Sequence, residues 1–497
     1  MKASAGSSSM LSHIAYFAII ILLISFVPAE RLGNAEEALI LIGFLGAWRY
    51  SWASVNFARA IYFRRFAYPR EKERAVKDYA SRPGAAHAYF LTTSYKIEPE
   101  VTIPVYTSVF TAAAKSKGGA TIVSSVVDGA DERLIRQVFS CMPCDMSGVK
   151  LIIDRIPGTG KRDALAKALS LISRNCPSSS DVVVFVDGDS CVPANIVDQA
   201  APFFTNPQVG ALTTDEAVDI PQPGFFRDWF KLRFDQRQIM MCSMGLSKRV
   251  LTLTGRMSVF RADLATNPDF IKLIRSDFID HWRLGRVNFL TGDDKSTWYW
   301  LLKNGYEMVY LPDVRSVSME TQPKPTFFGS AIALMVRWFG NMLRTNGRAL
   351  EIPSRRIGLF VWWSIFDQNL SIWTTLAGPL SAITAAIFFD PIVLPAYFAW
   401  VMFTRYMFCA MISLFRGHWF PVSYPFLLYF GQLVGAAVKS FVYFRLDRQK
   451  WTRQAAKGGQ KAPRSTSERL KSYGSIYLHV LALGWLSLAV LYLTGAA

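Results

Sequence analysis

Apolar residues in this chain are gathered into long runs near its two ends, with a mixed pattern between them. Residues 11–27 form an almost unbroken apolar run without a charged side chain, and a second begins at Ala38. No small-x-small cleavage site follows the first, so a hairpin of two spanning helices is expected rather than a cleaved signal peptide. Apolar character returns after Arg355-Arg356 in blocks at 357–389, 391–415, 420–444 and 476–494, each long enough to cross a hydrocarbon layer as a helix. The interval 57–356 reads differently. Short apolar runs at 87–93, 121–127, 149–156 and 182–186 have strand length, and 161–172 carries Leu165, Ala166, Leu169, Leu171 and Ile172 at helical spacing. Strands alternating with helices predict an α/β domain with a mostly parallel sheet, embedded in an α-helical transmembrane bundle.

Charge then orients that bundle. The 51% apolar content and the +18 net charge fit an integral membrane protein with one sizeable domain outside the lipid. Glu30, Glu36 and Glu37 lie in the first connection, whereas Arg59, Arg64, Arg65, Arg70, Lys72, Arg74 and Lys77 follow the second run. The positive-inside rule predicts a cytosolic middle domain. The interval 445–471 holds nine Lys or Arg against Asp447 and Glu468, so it too is expected inside. Three crossings between Arg356 and Arg445 would put it outside. Either 357–389 contains two short segments, or one block lies in the interface. The expected organisation is a hairpin at 1–56, a cytosolic domain with interface helices at 57–356, transmembrane segments at 357–444, a basic cytosolic loop at 445–475 and a last helix at 476–497. Because the cations cluster beside membrane segments, no nucleic-acid partner is expected. Cys141-Met-Pro-Cys144 is a lone pair among six cysteines, and in a reducing compartment reads as free thiols.

Pro157-Gly-Thr-Gly-Lys161-Arg162 is not a P-loop: Arg155 occupies the first glycine position, and Arg162 replaces the magnesium-binding Ser or Thr. A glycine turn opening a helix still offers N–H groups to phosphate, and Lys161 and Arg162 suit a nucleotide diphosphate, although a solvated helix start explains the motif equally. Ligands of parallel sheets bind beyond the strands' carboxyl ends, where Asp128 and Asp187 are expected. Asp187-Gly-Asp189 offers one carboxylate for ribose and one for a hard divalent ion beside a diphosphate; a plain Asp-Gly turn is the alternative. Gly292-Asp293-Asp294 precedes a helical pattern. Adjacent carboxylates raise one pKa, helping a base, while a helix N-terminus pulls the other way. Which effect wins is left open.

Asp128, Asp187-Gly-Asp189, Thr-Gly-Asp-Asp294 and Arg337-Trp338 look like the signature set of processive family 2 glycosyltransferases, the group of cellulose, chitin and hyaluronan synthases. The strings IPGTGKRDALA, LSKRVLTLTGRMSVFRA, HWRLGRVNFLTGDDKS and RLDRQKWTRQ resemble, more closely, the catalytic subunits of bacterial alginate synthases over essentially the full length. One departure from the wider family is Leu334 where its Gln-x-x-Arg-Trp signature has Gln. The resemblance implies a GT-A-like domain in a multi-pass inner-membrane protein, with GDP-mannuronic acid as donor and β-1,4-polymannuronate as product. It assigns Asp128 to the nucleotide, Asp187 and Asp189 to the diphosphate and Mg²⁺ or Mn²⁺, Asp294 to the base, and Arg337 and Trp338 to the acceptor; the glycine turn adds Lys161 to the nucleotide site, and Asp293 is the second candidate for the base. Trp451 and Arg453 resemble a gating loop that closes over the nucleotide. A cyclic-di-GMP-binding co-polymerase subunit and a periplasmic and outer-membrane export complex are the implied partners. A UDP-sugar polymerase shares every core motif, and a non-catalytic transport subunit shares the hydrophobic frame but needs no acidic motifs.

Two expectations concern a polyanionic product. At least one of Arg256, Arg261, Arg283 and Arg286, close in sequence to the acidic motifs, is expected to pair with a sugar carboxylate. Arg49, Arg405 and Lys439 interrupt apolar runs, and cations at such depth face a protein interior or a wet path. A channel for the polymer is expected there, with an internal ion pair to Asp367 as the competing explanation and Lys439 close enough to the cytosolic face to snorkel.

Overall fold

The computed structural model describes residues 3–449 and 466–496. Ten strands lie among the described residues: β1 (Ala88–Thr93), β2 (Ala120–Val126), β3 (Val149–Arg155), β4 (Val182–Asp187), β5 (Ser190–Cys191), β6 (Val209–Asp219), β7 (Met257–Arg261), β8 (Phe278–His281), β9 (Gly285–Asn288) and β10 (Glu307–Met319). Eight form one sheet in the order β3-β2-β1-β4-β7-β6-β10-β5, and β8-β9 form a separate hairpin. The pairs among β3, β2, β1 and β4 are parallel, while β7 runs antiparallel to both β4 and β6. Val-rich β4 and the apolar β1 and β2 are buried on both faces, as parallel strands covered by crossover helices require.

Thr93 pairs with both Ser125 and Asp187, so the carboxyl ends of β2, β1 and β4 are level. β6 and β10, by contrast, carry polar residues into the core. Asp215 is buried and accepts Arg315 at 2.9 Å and Arg416 at 2.7 Å, and buried Glu216 faces Arg237 at 3.1 Å. Arg416 ends the helix Val393–Arg416, so this pairing anchors the sheet to the helical bundle.

Ala29–Ala80, Leu359–Phe388, Val393–Arg416, Tyr424–Tyr443 and Thr466–Leu493 are long and apolar enough to cross a membrane, and Met10–Ser25 is a shorter apolar helix. Block 357–389 does not divide into two segments: Leu359–Phe388 is one helix that continues through Pro379. Helix Tyr424–Tyr443 returns to the α/β domain at both ends. Ser423 donates to Asp228 before it, while Leu446 O accepts Arg344 at 3.0 Å and Gln449 meets Asn288 and Leu290 after it. At the far end of the bundle, Arg31 pairs with Asp390 at 2.7 Å, joining the first connection to the turn before Val393–Arg416.

Candidate active site

β4 delivers Asp187 to the sheet edge, and the antiparallel partner β7 sets Arg256 beside it: Asp187 N–H donates to Arg256 O at 3.0 Å. The turn after Asp187 has no space for a side chain, since a Cβ on Gly188 would lie 2.6 Å from Thr93 O and from Ile97. Glycine here lets Asp187 and Asp189 flank one tight turn. The second acidic motif enters on the first turn of helix Asp293–Lys303, preceded by Gly292 at φ 83°, a left-handed conformation that favours glycine. Thr291 and Arg344 both donate to Asn341 Oδ1, at 2.8 and 2.7 Å, fixing this turn to helix Phe327–Leu350, which carries Arg337 and Trp338.

Lys161 joins the two motifs, with Nζ 2.7 Å from Asp187 Oδ1 and 3.0 Å from Asp293 Oδ2. Burial opposes its charge, but Asp187 and Asp293 raise its pKa further. Burial, with Asp189 and Asp293, raises Asp187 to about 6 against the pull of Lys161. The adjacent pair splits. Burial pushes Asp293 up, yet Lys161 and Arg162 outweigh it and leave its pKa below the ordinary value. Burial and then Asp293 raise Asp294. Lys295 points away from the motif and donates to Leu251 O at 2.6 Å; burial lowers it to about 8.

These groups open on one cavity of about 2120 Å³ lined by Lys161, Asp187, Asp189, Asp293, Asp294, Arg256, Arg337 and Trp338, and it continues among the apolar helices to Arg49, Asp367, Arg405 and Lys439. A polar, acidic head is thus continuous with a passage into the helical bundle.

Residues 85–341 match the model of the glycosyltransferase-like family 2. The chain is 41% identical over 445 residues to "Glycosyltransferase alg8" of Pseudomonas syringae pv. tomato (strain ATCC BAA-871 / DC3000), covering 89% of this chain and 90% of that protein. It is 42% identical over 428 residues to "Glycosyltransferase alg8" of Azotobacter vinelandii, covering 85% and 86%. The chain belongs to glycosyltransferase family 2. The expected likeness to alginate synthase catalytic subunits stands on the same relatives. Among solved structures, a mannosyltransferase of Pyrobaculum calidifontis in complex with GDP-Man and Mn²⁺ aligns with a TM-score of 0.41 at 17% identity, covering 77% of this chain and 98% of that one.

In this glycosyltransferase the sequence motifs converge, with corrections. Asp128 stands beyond the carboxyl end of β2 as expected, but it is exposed, caps helix Gly129–Ser140 by accepting Ala130 N–H at 2.9 Å, and does not line the cavity. Arg162 turns from the diphosphate side to donate to Ile274 O, Thr291 O and Ser296, bracing the turn before Asp293. Of the four arginines expected to meet a sugar carboxylate, only Arg256 lines the cavity, and it already faces Glu320 at 2.9 Å and Glu216 at 3.7 Å. Arg261 is buried against Asp263 and Pro207 O. Arg283 holds Phe444 O, Lys471 O and Ser475, tying the β8-β9 hairpin to helix Thr466–Leu493. Arg286 pairs with Asp280 on the surface. Arg261, Arg283 and Arg286 satisfy structural needs away from the cavity, so for these three sequence proximity to the acids was misleading.

Deeper in the cavity, Arg49 pairs with Asp367 at 2.8 Å and donates to Thr374, the competing arrangement considered above. Arg405 donates to Gln432 at 2.6 Å and to Thr404, and no carboxylate pairs with it or with Lys439 among the described residues. Trp451 and Arg453 lie outside the described residues. The sequence reading missed helix Phe225–Gly245, whose Trp229, Arg233 and Arg237 also line the cavity; their spacing of four was the available signal. Loop residues Ser94 to Glu98 after β1, which line the same cavity, were missed too.

Proposed function

We propose that this glycosyltransferase polymerises mannuronic acid from GDP-mannuronate into β-1,4-polymannuronate, the alginate precursor, and passes the chain across the bacterial inner membrane. The observation that carries the reading is the unbroken cavity from the paired acidic motifs to cations within the apolar helices. A strand with a negative charge on every sugar needs cations where it leaves water, and Arg405 and Lys439 supply them. A neutral product would leave Arg405, which has no carboxylate partner among the described residues, without a counter-charge.

Asp294 takes the proton of the acceptor 4-hydroxyl, and that oxygen attacks the anomeric carbon from the face opposite GDP, inverting it. The raised Asp294 pKa suits a base, and Asp293 holds Lys161 near the diphosphate. Arg337 and Trp338 support the acceptor end. Among the described residues no group of three or more His, Cys, Asp or Glu could hold an ion. A carboxylate pair at Asp187 and Asp189 fits Mg²⁺ or Mn²⁺, which use one or two carboxylates and complete their shell with substrate phosphate oxygens and water. When bound, the ion neutralises charge developing on the leaving diphosphate.

Five crossings follow if helix Tyr424–Tyr443 lies in the interface, and the basic segment after it then stays cytosolic. A cyclic-di-GMP-binding co-polymerase and an export complex complete the assembly by analogy with alginate synthases. Membranes containing the assembly are expected to release GDP and form polymer from GDP-mannuronate. Formation of a polymer from a UDP-sugar, with GDP-mannuronate inert, would overturn the proposal.

Arg49 serves the bundle rather than the polymer. Asp367→Asn leaves the half-buried Arg49 without its counter-charge and is expected to destabilise the protein, whereas neutralising both partners costs far less. Thermal unfolding in detergent checks this: Arg49→Gln/Asp367→Asn should unfold above the Asp367→Asn single variant.

A further inference from the structure

Trp229, Arg233 and Arg237 recur on one face of helix Phe225–Gly245 and all border the cavity. Arg237 is neutralised by Glu216 at 3.1 Å. Arg233 differs: no carboxylate forms an ion pair with it among the described residues, and the charges near it include the cations Arg256, Arg237 and Lys439. Burial, reinforced by Arg256 and Arg237, lowers its pKa to about 10, so it remains charged at neutral pH. The guanidinium carbon lies 4.7 Å from the Trp338 ring centre and 5.2 Å from that of Trp229, and those indoles stack at 5.8 Å. Lys439 is the neighbouring cation along the cavity; it feels the Arg233 charge and lies 5.1 Å from the Phe339 ring centre.

A half-buried cation without a counter-charge is unfavourable, and a ligand anion offsets that cost. Arg233 adjoins Trp338, the tryptophan of the acceptor motif. The anion therefore belongs on the acceptor side. Aromatic faces suit a sugar ring, and a guanidinium fork matches a carboxylate.

We infer that Arg233 binds the carboxylate of the acceptor-chain uronate lying against Trp338, forming a subsite that selects an acidic over a neutral growing chain. The inference rests on the proposed uronate polymerisation and adds to it the residue that reads the acceptor's charge.

The test is titration of the purified full-length protein with β-1,4-linked oligomannuronates and, separately, neutral β-1,4-mannooligosaccharides of equal length, followed by calorimetry. Arg233→Gln should weaken oligomannuronate binding at least tenfold, flatten its salt dependence and leave mannooligosaccharide binding unchanged; Arg233→Lys should recover part of the loss. GDP binding by each variant reports an intact fold. Should Arg233→Gln misfold, the Arg233→Lys variant carries the test, with a loss confined to the acidic ligand as the expected result. Wild-type affinity for oligomannuronate in a folded Arg233→Gln protein overturns the subsite while leaving the proposed function standing. If the wild-type assembly polymerises a neutral UDP-sugar and not GDP-mannuronate, the function falls, and the subsite with it.

Discussion

Asp294→Asn is expected to lower polymer synthesis by about 10²–10⁴-fold, the range attributed to a positioned general base, with GDP binding largely retained. Asn keeps the shape of the side chain and cannot take a proton. The two neighbours are distinguished by their surroundings. Burial and Asp293 raise Asp294, whereas Lys161 and Arg162 overcome burial and hold Asp293 low. Asp293 thus remains an anion bonded to Lys161, and Asp294 is the more basic partner. The pH dependence follows in sign: a base works only when deprotonated, so activity declines as pH falls through the raised Asp294 pKa. The acid limb of the rate profile should lie above the ordinary aspartate value of about 3.9. Full synthesis by Asp294→Asn together with loss in Asp293→Asn would transfer the role to Asp293.

Asp189→Ala should reduce synthesis at least about 100-fold, because metal charge stabilisation is worth several kcal/mol and each 1.4 kcal/mol or so is tenfold in rate. Unlike Asp294→Asn, it should also weaken divalent-ion-dependent GDP binding. The contrast arises from position: Asp189 sits with Asp187 around the Gly188 turn, whereas Asp294 stands on the helix opposite, with Gly255 between it and Asp187. Calorimetric titration of GDP with and without Mn²⁺ separates the two effects. Unchanged metal-dependent binding in Asp189→Ala would remove Asp189 from the ion.

Both acids were legible because their setting was simple. β1, β2 and β4 are apolar on both faces, so their runs stand out, and their level carboxyl ends put Asp187 where such sheets bind ligands. β6 and β10 were not legible. Thr213, Thr214, Asp215 and Glu216 break the apolar pattern of β6, and only partners far along the chain, Arg315, Arg416 and Arg237, explain how those acids are buried. The same distance effect hid the Arg roles. Arg283 is close in sequence to Asp293, yet its hairpin turns it toward Ser475, while Arg233, some sixty residues before Asp293 in the chain, borders the same cavity. Arg49 and Asp367, 318 positions apart, form a pair that the sequence offered only as an alternative.

The central claim is that one cavity both makes the polymer and conducts it. Inside-out membrane vesicles containing the assembly, supplied with GDP-mannuronate and a divalent ion and then treated with alginate lyase, test it directly. Polymer that survives lyase until detergent opens the vesicles is the predicted result, with Arg405→Glu abolishing it at normal protein level. Polymer formed wholly outside the vesicles and digested at once would contradict the account.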